Sequence, residues 1–142
     1  MRRADTRTIP GVDLDMVDEA GMKAAMQAYI DAFNAADPEA IAALYADDAT
    51  VEDPVGSDRK HGREAILAFY RMAVQTGARL SLAAPIRASH DNAAAMAFDV
   101  HLEMPTGQSV IRVIDVMRFD ADGRFASMEA YWGPSDVAPA AG

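Results

Sequence analysis

Residues 93–132 alternate apolar and polar side chains with a period of two, broken twice by turn residues, and no other feature limits the fold as tightly. In residues 93–103 the even positions Ala94, Met96, Phe98, Val100 and Leu102 are apolar, while Asp99, His101 and Glu103 take odd ones. Pro105-Thr106-Gly107 reads as a turn, residues 108–119 as a long strand, and Asp120-Ala121-Asp122-Gly123 as the next turn. Residues 124–132 form the last strand, with Ala126, Met128, Ala130 and Trp132 on one face. Such alternation describes antiparallel strands with one face on a core.

The first half follows a different period. In residues 17–36, Met22, Met26, Tyr29, Ile30 and Phe33 recur at three- and four-residue steps, the stripe of an amphipathic helix. Asp37-Pro38-Glu39 then supplies an N-cap, a first-turn proline and an acid near the helix dipole. The short helix it starts is expected to turn Ile41, Leu44 and Tyr45 inward. Residues 49–53 read as a short strand closed by Pro54 and Gly56, and residues 62–75 as a third helix burying Ile66, Phe69, Tyr70 and Ala73. Helices first and antiparallel strands after is the α+β order. A twisted sheet wrapped over the helices makes a cone with an open apolar mouth. The expected organisation is a flexible leader over residues 1–15, one domain over 16–134 and a loose tail over 135–142. A length of 142 residues suits one domain.

Charge narrows the function. Asp and Glu outnumber Lys and Arg 22 to 13, for a formal net charge of -9, which disfavours nucleic acid and anionic membrane surfaces as partners. The chain has no cysteine, which excludes disulfides, thiolate zinc sites and a thiol nucleophile. His61, His90 and His101 form no ligand-spaced pair, so no metal is expected. No apolar run approaches a membrane span or follows Met1-Arg-Arg as a secretory signal would, and the expected location is cytoplasmic.

Asp115 is the sharpest anomaly. It is in phase with Ile111, Val113, Met117 and Phe119, on an otherwise apolar strand face that carries no Lys or Arg. A buried, unpaired carboxylate is costly, so desolvation favours the neutral acid, a strong hydrogen-bond donor. The plainer reading turns Asp115 to water or pairs it with Arg112 or Arg118, against the parity of its neighbours. Asp53 ends a strand in phase with Ala49 and Val51, a natural place for a base at a cavity rim, though an aspartate before a proline is also common turn chemistry. Tyr29, Tyr45 and Tyr70 lie on inner helix faces, either as core phenols or as a linked donor network. Met96, Met128 and Trp132 read first as plain core.

Several blocks are similar to the bacterial Δ5-3-ketosteroid isomerases. They are Tyr45-Ala-Asp-Asp-Ala-Thr-Val-Glu-Asp-Pro-Val-Gly56, His61-Gly-Arg-Glu64, Ala68-Phe-Tyr-Arg71, Arg87-Ala-Ser-His90, Val113-Ile-Asp-Val-Met-Arg-Phe-Asp120 and Ala130-Tyr-Trp132. The resemblance runs over about residues 22–132. It implies the cone-shaped NTF2-like or SnoaL-like fold, with three helices on a curved, mostly antiparallel sheet that encloses an apolar pocket. It also implies Asp53 as general base, Tyr29 and protonated Asp115 as oxyanion donors, and Tyr45 and Tyr70 as supporting phenols. Phe98, Val100, Met128 and Trp132 match pocket positions, and Phe33, Val55 and Met96 join them as expected substrate contacts. The implied reaction converts a 3-oxo-Δ5-steroid to its Δ4 isomer without a cofactor. A longer leader, a bulky Phe33 and the turn at Pro105-Thr106-Gly107 depart from the family pattern.

Two other functions stay open at this stage: a polyketide cyclase or dehydratase on the same cone, and a non-catalytic binder of steroids or similar apolar ligands. On the outer face of the long strand, Val110, Ile114 and Val116 lie beside Arg112 and Arg118. That mixture, with the resemblance, suggests a homodimer through the sheet.

Overall fold

A computed structural model describes the backbone of residues 8–9 and 12–13 and all of residues 18–139. The expected leader lies outside the described residues apart from β1 (Thr8–Ile9) and β2 (Val12–Asp13), whose backbones pair antiparallel. Residues 140–142 of the expected tail also lie outside them.

Among the described residues, α1 spans Glu19–Asn34, α2 Pro38–Ala43 and α3 Arg63–Gln75. The remaining strands are β3 (Tyr45–Glu52), β4 (Lys60–His61), β5 (Arg79–Leu82), β6 (Arg87–Ala88), β7 (Ala93–Met104), β8 (Gly107–Phe119), β9 (Phe125–Tyr131) and β10 (Val137–Pro139). They form one sheet in the order β4-β3-β9-β8-β7-β5, with β6 also on β7 and β10 on β8. Only the β3–β9 pairing is parallel. The helices pack on one face of this curved, unclosed sheet, so the α+β expectation holds.

Local chemistry explains the boundaries. The Asp18 carboxylate accepts the Gly21 N–H at 2.7 Å and starts α1, and Asp37 accepts the Ala40 N–H at 3.1 Å and starts α2 behind Pro38. Gly62 opens α3 at a φ of 88°, a left-handed backbone that only glycine adopts without strain. Met22, Met26, Tyr29, Ile30 and Phe33 are all buried on α1, as their spacing predicts. On β8, Val113, Asp115, Met117 and Phe119 are buried while Arg112, Ile114 and Arg118 are exposed, so the parity reading holds.

Two expectations need correction, and two short strands join the sheet without having been read from the sequence. Tyr45 is buried but opens β3 instead of riding on α2. The Leu44 C=O accepts the Phe125 N–H at 2.8 Å, which pulls the chain out of the helix and into the sheet. β5 and β6 have too few alternating residues to be read from sequence, yet they pair with β7 through Leu80↔Val100, Leu82↔Phe98 and Arg87↔Ala95. The tail is not loose from its start. Pro134–Asp136 forms a 3-10 turn, and Val137–Pro139 pairs with Ser109 to Ile111 on β8. β9 pairs with β8 only from Ile114 onward, and β10 occupies the stretch of β8 edge that β9 leaves.

The edge strand β5 is held by a side chain. Asn34, the last residue of α1, donates its amide N–H to the Leu80 C=O at 2.9 Å and accepts the Leu80 N–H at 2.8 Å. Its carboxamide thus acts as a one-residue strand on an otherwise open edge. Asn34→Ala strips both partners from half-buried backbone groups. It is expected to lower unfolding free energy by about 1–3 kcal/mol in urea titration.

Candidate active site

α1, α3 and the inner face of the sheet enclose a cavity of about 320 Å³ lined mostly by aliphatic and aromatic side chains. That size suits a small apolar ligand. From Asp115 to Ile111 it runs along four residues of β8, about 14 Å at the rise of an antiparallel strand. Val113 is buried and Ile111 half-buried, so Asp115 lies at the deep end and Ile111 nearer the mouth.

Asp115 is 1% exposed and is the one acidic or basic residue classed as buried among the described residues. It sits mid-sheet, opposite Met96 on β7 and Ala130 on β9, neither of which offers its side chain a polar group. Its Oδ2 has no hydrogen-bond partner among the described residues. Burial pushes its carboxyl well above the ordinary value of 3.8, and the charge of Asp53 pushes the same way. Both effects favour the protonated acid, whose Oδ2 meets no acceptor among the described residues.

Tyr29 presents a second unspent donor. The Tyr70 hydroxyl donates to the Tyr29 oxygen at 3.0 Å, and the Tyr45 and Tyr70 hydroxyls lie 2.7 Å apart. Each phenol has one O–H. With the Tyr70 hydrogen given to Tyr29, Tyr45 must donate to Tyr70, and the Tyr29 hydrogen is left for the cavity. Burial raises all three phenols well above 10.0 and keeps them un-ionised. Tyr29, Tyr70 and Asp115 line the cavity, while Tyr45 stands behind Tyr70.

Asp53 faces the same cavity from the end of β3. The Trp132 indole N–H donates to its Oδ1 at 2.9 Å. The loop that follows is tied to β9 by the Val55 N–H and the Ala130 C=O at 2.8 Å. Burial raises the Asp53 carboxyl, but the Trp132 hydrogen bond and the charge of Lys60 oppose it. The two aspartates share a cavity with unequal support: Asp53 has a donor and a cation, Asp115 neither. Glu52 does not line the cavity. It accepts the Gly56 N–H at 2.7 Å and the Arg59 guanidinium at 2.7 Å, which braces the loop beyond Asp53.

Of the expected ligand contacts, Phe33, Phe98, Val100 and Trp132 line the cavity. Met96 and Met128 do not. They are fully buried beneath it, as core. Val55 is 42% exposed and lines a separate concavity on the outer face of the sheet with Ile114 and Tyr131. The turn that starts at Pro54 carries it away from the site. Leu102, Ile111 and Val113 also line the cavity and were recoverable from the same strand parity. Leu80 depended on the unread β5.

The profile of the SnoaL-like domain family matches residues 26–128. The chain belongs to that family. A curated relative, the Steroid Delta-isomerase of Nocardioides simplex, is 48% identical over 121 residues, covering 83% of this chain and 94% of that protein. The Epoxide hydrolase LasB of Streptomyces lasalocidi is 28% identical over 125 residues, which cover 73% of this chain but 44% of that longer protein. A solved structure of SalBIII, an epoxide hydrolase/cyclase-like enzyme in pyran ring formation of the polyether salinomycin, superposes with a TM-score of 0.81. It is 27% identical and covers 87% of this chain and 99% of that one. The SnoaL-like cone expected from the sequence is therefore the fold of this chain.

The protonation of Asp115 has a measurable sign. Between the ordinary value of 3.8 and its raised folded value, the folded chain holds a proton that the unfolded chain has lost. Stability from this group is complete below 3.8 and falls as pH rises, by up to about 1.4 kcal/mol per pH unit. Asp115→Asn removes the titration and keeps the shape. Its stability relative to the native chain is expected to grow from pH 5 to pH 8 in urea unfolding. A constant difference would mean that Asp115 is ionised when folded.

Proposed function

We propose that this chain is a steroid Δ-isomerase that converts 3-oxo-Δ5-steroids to 3-oxo-Δ4-steroids by intramolecular proton transfer. One observation carries the reading. A buried acid with an unpartnered Oδ2 and a phenol with an unspent O–H line the same apolar-walled cavity as a carboxylate that accepts a single N–H. The 48% identity to a Steroid Delta-isomerase across nearly its full length supports it.

In the proposed mechanism the ketone enters first and reaches Tyr29 and Asp115 at the deep end. Phe98, Val100 and the other apolar walls hold the steroid skeleton and exclude water. Ionised Asp53 takes the proton from the carbon between the ketone and the double bond. The electron pair moves onto the ketone oxygen, giving a dienolate. Tyr29 and Asp115 donate hydrogen bonds to that oxygen, where they gain strength as its charge grows. Tyr70 and Tyr45 polarise Tyr29 through their linked hydroxyls. Asp53 then returns the proton two carbons further along, and the double bond becomes conjugated. The carboxylate ends as it began, and no cofactor or metal enters these steps.

The cyclase or dehydratase alternative draws on relatives at 28% and 27% identity, weaker support than 48%. A pure binder would have no use for a base beside its donors. The proposal also covers a cytoplasmic location, consistent with an acidic chain and with the absence of any helix long and apolar enough to cross a membrane among the described residues.

The direct test adds purified protein to a β,γ-unsaturated 3-ketosteroid and follows conjugated enone by ultraviolet absorbance. Turnover is expected to fall by about 10²–10⁴-fold in Asp53→Asn and about 10²–10³-fold in Tyr29→Phe. Binding of a planar phenolic steroid with no turnover by the native chain would favour the binder instead.

A homodimer through the outer sheet face belongs to the same proposal. Ile114 and Tyr131 are cross-strand partners, 49% and 47% exposed, and Asp99 lies opposite Arg112 beside them. An apolar centre flanked by both signs of charge can complement a second copy of itself. Sedimentation is expected to give a dimer for the native chain and a monomer for Ile114→Asp.

A further inference from the structure

We propose that Lys60 is a positioning residue for the base: its ammonium, held on the inward face of the edge strand β4, sets the pH range over which Asp53 is ionised. The inference rests on reading Asp53 as the base.

The sheet register supplies the geometry. Lys60 is the direct antiparallel partner of Val51, and directly opposed residues share a face. Val51 is fully buried, so that face is the inward one. Asp53 follows two residues on, on the same side, and diagonal neighbours in such a pair stand about 7–8 Å apart, within reach of a long side chain. The ammonium lies 5.8 Å from the ring centroid of Phe69, which lines the cavity with Asp53. It also donates to the Asp58 C=O at 3.2 Å. A ring face and a carbonyl can hold a cation in place without neutralising it.

The groups around Asp53 leave that charge unopposed. From the β9 side the Trp132 indole is a neutral donor, and from α1 and α3 Tyr29 and Tyr70 are un-ionised phenols. Tyr45 stands behind Tyr70 and is also neutral. From β8 comes Asp115, whose carboxyl burial raises well above its ordinary value and so toward the neutral acid. Arg59 is engaged by Glu52 on the outer side, and Asp58 is exposed. Among the described residues no carboxylate lies within ion-pair distance of Lys60. Its field falls on Asp53 and opposes the burial that raises that carboxyl.

An inward lysine on an edge strand has a structural explanation too, as a guard against strand pairing with another chain. The guard role predicts altered association or stability and an unmoved pH profile, so the two roles are separable.

The experiment measures kcat/KM against pH for the native chain, Lys60→Met and Lys60→Arg with a β,γ-unsaturated 3-ketosteroid. In parallel, the Asp53 carboxyl carbon is titrated by NMR in the ligand-free proteins. Lys60→Met is expected to move the acid limb and the NMR titration together to higher pH. On the acid side its activity should fall by roughly three- to tenfold, with far less change on the alkaline plateau. Lys60→Arg should follow the native curve. Added salt should move the native limb in the same direction and leave Lys60→Met nearly still. Lys60→Gln replaces Lys60→Met if the latter fails to fold. Coincident titrations of Asp53 in the native and neutral variants would overturn the role of Lys60 while leaving Asp53 as base. Near-native turnover in Asp53→Asn would instead remove the base assignment on which the inference rests.

Discussion

A carboxyl group in the middle of an apolar sheet face must be paired, hydrogen-bonded or neutral, and Asp115 has neither a cation nor a donor at its Oδ2. The neutral state is the remaining solution, and much of the surrounding architecture maintains it. β8 is flanked by β7 and β9 at this level, so water cannot reach the group from either side of the strand. The residues opposite it, Met96 and Ala130, are buried and apolar. The two methionines expected to touch ligand are buried in the core and do not line the cavity. A chain that carries this cost on its longest strand keeps a strong donor directed at an otherwise apolar space.

The phenols depend on the same dryness. In water each hydroxyl would exchange partners freely. In the core, the Tyr70 hydroxyl spends its one hydrogen on Tyr29, so Tyr45 must donate to Tyr70 and the Tyr29 hydrogen is left for the cavity. Three elements, β3, α3 and α1, contribute one tyrosine each. The donor at the cavity is therefore positioned by the packing of helices on sheet and not by any local motif.

The sequence was most informative where side-chain parity decides burial. The inward set on β7 and β8, and the isolation of Asp115 within it, follow from alternation alone, because a one-residue shift would turn every apolar side chain to solvent. The α1 face was legible for the same reason at a period of 3.6. Parity failed where strands were short or displaced. β5 shows two alternating leucines, and only its pairing with β7 and the Asn34 clamp make it a strand. Tyr45 was placed on the wrong element because the bond from Phe125 that draws Leu44 toward the sheet spans eighty-one residues of chain and leaves no local trace. Val55 was misplaced because residue types do not reveal where the chain leaves a face after a proline. Lys60 was passed over because its importance comes from a two-residue strand and a cross-strand neighbour.

Two aspartates in one cavity are chemically alike, and only their surroundings separate them: burial raises both carboxyls, and at Asp53 alone a hydrogen bond and a cation oppose it. Asp53 is at a strand end, where the chain can bring an indole N–H and a cation to it. Asp115 is mid-strand, where backbone pairing on both sides leaves room for neither. Near the edge of a curved sheet a carboxylate can be kept ionised, and at its centre an acid can be kept neutral. The sheet thus sets a gradient of support from edge to centre, and an epoxide hydrolase/cyclase-like enzyme superposes on the same fold. On such a fold a change of reaction requires different groups along that gradient and no change in the sheet that creates it.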